Sequence, residues 1–303
     1  MVDGAVAARR TGRTADRIVF LGHATVLIEV DGVRLLTDPL LRGRVAHLRR
    51  QVPPVQQSLF ADVDAVLISH LHHDHLDLAS LRLLGGDTPL VVPAGAGGWL
   101  RHKGFGTVTE LKVGGVAQVG AATEPGVGGV AQVGTATEPG VGVVAQGGTV
   151  TELAAGDVAE AGTLTVTAVQ ARHDGRRLGG PRAETLGYLV SGGHTVYFAG
   201  DTELFAEMSH LPRPLDAALL PVAGWGPTLG AGHMGPLDAA RAVGLIEPRI
   251  AIPVHWGTLS PLGLGRRDRA RLGNPPRLFA EHMAKLAPRV EVRILAPGQE
   301  ADL

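Results

Sequence analysis

The segment His70-Leu71-His72-His73-Asp74-His75 puts four imidazoles and a carboxylate into six residues, directly after the run Ala65-Val66-Leu67-Ile68-Ser69. Neutral nitrogen donors with a hard oxygen donor suit zinc, iron or manganese. His70 and His72 stand two apart at a strand exit, so their side chains can share one ion. Asp74 and His75 follow in a turn and can point to a second position. Two-metal sites hold their ions about 3.5–4 Å apart, and completing such a pair needs ligands from other strand ends. Three residues qualify: His173 after the run from Val166 to Arg172, Asp201 after Val196-Tyr197-Phe198-Ala199-Gly200, and His255 after Ile250-Ala251-Ile252-Pro253-Val254. Each lies just past an apolar strand, where open α/β sheets collect functional groups. A single histidine there is ordinarily a surface or hydrogen-bonded group; the six-residue cluster is what changes the weighing. His73 is set aside because its neighbours face the ions.

The elements that must position these residues can be read from hydropathy. Ile18-Val19-Phe20 and Ala24 to Val30 read as a strand pair, and Asp31-Gly32 as the turn into Val33 to Leu36. Ala65 to Ile68 is the buried strand that delivers the cluster, and Asp77 to Leu84 a short helix. Pro89 to Val92, Leu164 to Val169, Leu186 to Val190, Thr195 to Phe198, Ala217 to Leu220, Ile250 to Val254 and Val290 to Ile294 read as further strands. Helical patterns fall at Pro236 to Leu245 and Arg277 to Ala287. A strand meander with interspersed helices predicts a layered α/β fold.

One stretch departs from this pattern. Thr109-Glu110, Thr123-Glu124, Thr137-Glu138 and Thr151-Glu152 recur every 14 residues, and Gly115-Val116-Ala117-Gln118-Val119-Gly120 returns as Gly129-Val130-Ala131-Gln132-Val133-Gly134. We read residues from about 109 to 150 as a tandem-repeat insertion within a single domain, a surface excursion with no catalytic role. Pro125 and Pro139 favour edge or loop positions for the inner copies.

Composition narrows the class. Of 303 residues none is cysteine, so any metal is held by His, Asp or Glu. Net charge is -1 with no long block of like charge, which lacks the basic footprint of a nucleic-acid partner. No apolar stretch approaches the ~20 residues of a membrane helix. Residues 1–16 read as a disordered tail rather than a secretory signal, and residues 17–303 as the folded domain. A cytoplasmic location is expected, with a small-molecule substrate; a homo-oligomer is left open.

The residues carry a resemblance. The His-x-His-x-Asp-His run, with Leu21 to Glu29, Leu36-Thr37-Asp38-Pro39, Phe198 to Thr202, His233-Met234 and His255-Trp256-Gly257-Thr258, resembles the metallo-β-lactamase superfamily. Within it the chain is similar to the branch of ascorbate phosphate lactonase and N-acyl phosphatidylethanolamine phospholipase D. The resemblance implies an αββα sandwich with two divalent ions, zinc foremost and manganese or iron as alternatives. His70, His72 and His173 would hold one ion, Asp74, His75 and His255 the other, with Asp201 between them. A metal-bridged hydroxide would attack a phosphodiester or a lactone, with Asp74 and His233 as the catalytic residues. His233 and Arg177 are the candidates for touching substrate, though Arg177 could equally form a structural ion pair. His23 and Asp38 would orient ligands from behind. The competing expectations are a non-catalytic metal-binding scaffold and a nucleic-acid phosphodiesterase.

Overall fold

Alternating burial decides the architecture. In the strand Arg17–Gly22, Ile18 and Phe20 enter one apolar cluster while Val19 and Leu21 enter another. In Ala217–Pro221, Ala217 and Leu219 likewise part from Ala218 and Leu220. Strands that are apolar on both faces must be covered twice, and the chain meets that demand with two sheets face to face and helices outside each. The computed structural model describes residues 15–121, 129–135, 142–146, 149–153, 162–226, 228–265 and 272–303.

The first sheet runs, edge to edge, Glu300–Asp302, Arg17–Gly22, Thr25–Val30, Val33–Thr37, Ala65–Leu67, Leu90–Pro93 and Val108–Leu111. It is antiparallel up to Val33–Thr37 and parallel beyond. The second runs Gly129–Thr135, Gly115–Gly120, Thr163–Gln170, Leu186–Ser191, Thr195–Phe198, Ala217–Pro221, Ile250–Val254 and Glu291–Val292, turning parallel from Thr195–Phe198 onward. Phe20, Ile28, Leu35 and Leu67 meet Leu164, Tyr188, Phe198 and Ile252 between the sheets. The helices Leu78–Leu84 and Gly97–His102 cover the first sheet through Leu81 and Leu100. Pro236–Ile246 and Pro275–Leu286 cover the second through Ala239, Val243, Phe279 and Met283. This is the expected αββα sandwich.

Local chemistry sets the boundaries. Asp31 and Gly32 have φ of 51° and 81°, the two left-handed residues of a tight hairpin turn. Asp77 caps the following helix, accepting from the Ser80 amide at 3.0 Å. The sequence reading missed the helix Gly97–His102 and a small sheet of Arg44–Val45, Leu48–Arg50 and Leu259–Pro261. Those strands are too short to show a period. The expected strand from Val290 to Ile294 shrinks to Glu291–Val292.

The tail and the repeat boundaries need correction. Residues 1–14 lie outside the described residues, but Asp16 belongs to the fold, accepting from the Asp31 amide at 3.0 Å. The repeat is not wholly an excursion. Val108–Leu111 is an edge strand of the first sheet, and Gly115–Gly120 is an inner strand of the second, with Ala117 and Val119 in the central core. Its copy Gly129–Thr135 pairs with it antiparallel, Val130 opposite Val119. Gly142–Gln146 and Thr149–Leu153 form a separate pair. A deletion begun at Val113 would therefore remove a sheet strand. Excising residues 115–128, one whole unit, puts Gly129 to Gly134 where Gly115 to Gly120 stood. The shortened chain is expected to keep its metal content and to melt within a few degrees of the full chain, read by metal analysis and circular dichroism.

Candidate metal centre

The parallel strands of both sheets end on one side, and the chemistry-bearing residues follow those ends. Asp38 comes after Val33–Thr37, His70 to His75 after Ala65–Leu67, Asp201 after Thr195–Phe198 and His255 after Ile250–Val254. His173 follows the antiparallel strand Thr163–Gln170. His23 (φ 58°), Asp38 (φ 34°) and His255 (φ 63°) adopt left-handed backbone, uncommon for any residue but glycine. Such backbone persists where its surroundings over-determine it. Around Asp38 the Thr25 hydroxyl donates to its carbonyl at 2.9 Å and accepts from the Leu40 amide at 2.9 Å.

Two of the four overlapping donor groups among the described residues contain the residues expected to hold each ion. His70, His72 and His173 bring ring nitrogens within 4.8 Å of one another, and His23, His75 and His255 do the same with a carboxylate oxygen of Asp74. The others are Asp38 with His70 and His75, and Asp201 with His173 and His233. Asp201 lies between: its Oδ2 is 3.2 Å from His75 Nε2 and 4.0 Å from His70 Nε2, and its Oδ1 is 3.3 Å from His255 Nε2. His73 is exposed and belongs to neither group.

Hydrogen bonds fix which nitrogen of each ring faces inward. His255 Nδ1 donates to the Ala223 carbonyl at 2.7 Å, and His173 Nδ1 to the Gly232 carbonyl at 3.0 Å. His75 Nδ1 donates to Asp38 Oδ2 at 2.7 Å. The Nε2 atoms of His75 and His255 then face each other at 3.1 Å, and His173 Nε2 faces His72 Nδ1 at 3.2 Å. Nitrogens that converge at such distances can share a cation or a proton between them. His70 Nε2 and Asp201 Oδ1 are buried without a hydrogen-bond partner, and both point into the same space. The donor set fits divalent ions, with the nitrogen and oxygen character that zinc, manganese or iron accept.

Electrostatics put His173, His255, Asp74 and Asp201 in their ligand forms and leave a proton on His75. Burial lowers His173 to about 4 and His255 to about 3, so both rings are neutral at physiological pH. Burial alone would raise Asp201 and Asp74, but the surrounding histidines outweigh it and hold both carboxyls well below the usual range. His75 is the converse: burial opposes its proton, and Asp201, Asp74 and Asp38 more than restore it. Three carboxylates that retain a proton on one buried ring form a site of strong negative potential, where a divalent cation is favoured.

The remaining candidates take definite places. His23 Nε2 donates to Asp74 Oδ2 at 2.9 Å, and its own amide is held by Thr258 Oγ1 at 2.6 Å. His233 is half-buried at the rim, Nε2 3.4 Å from Asp201 Oδ2 and its ring edge-on to His173. Arg177, expected to hold an anion or pair with an acid, donates through Nη1 to the carbonyls of Leu71 (3.2 Å) and Leu76 (2.7 Å), with the guanidinium over Trp99. It braces the backbone of the histidine segment. Sequence reasoning missed Ser69 and Thr258. Ser69 could have been noticed as the lone hydroxyl ending a buried strand; Thr258 lay within the segment His255-Trp256-Gly257-Thr258 that carries the resemblance, but with no role attached.

Known proteins share this chain's sequence pattern and fold. The profile of the Beta-lactamase superfamily domain matches residues 33–256. A UPF0173 metal-dependent hydrolase of Methanopyrus kandleri is 31% identical over 93% of this chain and 98% of its own. The N-acyl-phosphatidylethanolamine-hydrolyzing phospholipase D 1 of Caenorhabditis elegans is 28% identical over 80% of this chain and 64% of its own. Among solved structures, Igni18, described as a novel metallo hydrolase from Ignicoccus hospitalis, superposes with a TM-score of 0.61 at 23% identity over 96% of this chain and 99% of its own. The chain is a metal-dependent hydrolase of the metallo-β-lactamase superfamily.

Proposed function

We infer that the protein hydrolyses a small phosphodiester or lactone at a centre of two divalent ions, zinc before manganese or iron. His70, His72 and His173 hold one ion, Asp74, His75 and His255 the other, and Asp201 serves both. The observation that carries this reading is the Asp201 carboxylate, buried within 4.0 Å of a histidine from each group. Bound there, two cations lower the pKa of water and polarise a carbonyl or phosphoryl oxygen. The chain's own part is to hold and orient. Asp74, fixed by His23, supplies a carboxylate where a proton must be accepted. His233 Nε2, at the exposed rim, is placed to carry a proton between Asp201 and a leaving group. Burial raises the cost of its charged form, but the hydrogen bond to Asp201 outweighs it and raises its pKa, which favours the protonated ring that can donate. Arg177 acts by positioning the ligand segment. The name of the Caenorhabditis elegans relative favours the phosphodiester over the lactone.

The test is metal analysis of the purified protein with turnover of bis(p-nitrophenyl) phosphate and of a lactone panel. About two equivalents of metal and turnover that chelation abolishes are expected. A protein that binds metal but turns over neither class would be a scaffold, and this reading would fall.

A further inference from the structure

One carboxylate touches both halves of the centre. Asp38 Oδ1 accepts the Ser69 amide at 2.7 Å, and Asp38 Oδ2 accepts both His75 Nδ1 at 2.7 Å and the Ser69 hydroxyl at 2.6 Å. With its proton given to Asp38, the Ser69 oxygen is an acceptor, and His70 Nδ1 donates to it at 2.9 Å. The chain of bonds therefore runs His70, Ser69, Asp38, His75. Its two ends are the rings read above as serving different ions, and Asp38, His70 and His75 also form a donor group of their own. All four residues are fully buried. Ser69 is also enclosed: its carbonyl accepts the Leu186 amide at 2.9 Å, and a Cβ at Gly200 would come within 2.7 Å of its own Cβ. The hydroxyl thus stands between the two rings, in contact with His70 directly and with His75 through Asp38.

We propose that Ser69 is a positioning residue that, through Asp38, couples the two metal positions so that they fill together. An ion on His70 fixes the proton on its Nδ1, which orders the Ser69 hydroxyl and the Asp38 carboxylate, and so pre-orients His75 for the second ion. Coupling of this kind is reciprocal, the second ion tightening the first by the same factor. This rests on the two-ion reading above.

The test is titration of zinc into the metal-stripped full chain by calorimetry, for the native protein, Ser69→Ala, Ser69→Thr and Asp38→Asn, with circular dichroism as the check on folding. The native protein is expected to take two ions in one transition. In Ser69→Ala, His70 loses its acceptor while His75 keeps Asp38. One ion should then bind nearly as before and the other about 10- to 100-fold more weakly, splitting the transition. Ser69→Thr keeps the hydroxyl and is expected to restore the single transition. In Asp38→Asn both ions should weaken, because His75 loses its charged acceptor and the Ser69 hydroxyl that holds His70 loses its own. A native-like isotherm in Ser69→Ala, or a split isotherm in the native protein, would overturn the coupling. Binding of fewer than two ions by the native protein would instead overturn the two-ion reading.

Discussion

Replacing Asp201 by asparagine is expected to release at least one metal equivalent and to lower metal affinity by at least about 10²-fold. Groups standing behind metal ligands are already worth about 10- to 100-fold, and Asp201 stands among the inward nitrogens themselves. Its two oxygens lie 3.2–4.0 Å from the Nε2 atoms of His75, His255 and His70. Asparagine removes the charge and turns an amide donor towards these nitrogens. Hydrolysis should fall in step, while the fold, set by the apolar clusters between and outside the sheets, remains. Elemental analysis and kcat/KM on bis(p-nitrophenyl) phosphate measure both effects. His73→Ala is the control: that ring is exposed and outside both donor groups, and its loss should leave metal content and turnover unchanged. Native metal content and turnover in Asp201→Asn would remove the residue from the centre.

Arg50→Met should act on the opposite property, reducing stability by about 3–5 kcal/mol and Tm by roughly 10 °C. The buried guanidinium joins three segments, donating to the carbonyls of Leu21 (2.6 Å), Leu40 (3.3 Å) and Pro53 (2.9 Å). Burial lowers its pKa to about 10, which still leaves it charged at neutral pH. Methionine fills much of the volume but leaves buried carbonyls without a donor, each worth about 1–3 kcal/mol. Lysine should not rescue it, since an ammonium cannot reproduce the planar fork. Thermal denaturation followed by circular dichroism reads the shift; a Tm within a degree or two of the native protein would show that water replaces the fork. Leu21 and Leu40 flank the segments that carry His23 and Asp38, so some loss of metal affinity should accompany the lower Tm.

The two variants separate what was legible in the sequence from what was not. Asp201 was visible because its signal is local: a carboxylate directly after an apolar strand that breaks at glycine. Arg50 was not, since its partners lie up to 29 residues away and are backbone carbonyls, which leave no mark on composition or spacing. The same division runs through the site. The histidine segment, His173 and His255 could be named from type and place, whereas Arg177 took a role its spacing did not disclose. The repeat shows the limit from another side. Its period was plain, but the inner position of Gly115–Gly120 depends on pairing with Thr163–Gln170, which no local pattern encodes.

By itself the sequence determined the donor types, the strands that end beside them, the layered α/β class and the absence of thiolate chemistry. These follow from side-chain chemistry and hydropathic period, which are properties of a residue and its near neighbours. Tertiary structure alone decided how the donors are grouped, which nitrogen of each ring turns inward, and that Ser69 and Asp38 join the two groups. Those are matters of distance between strand ends far apart in the chain, and they are fixed only when two sheets close on a shared core.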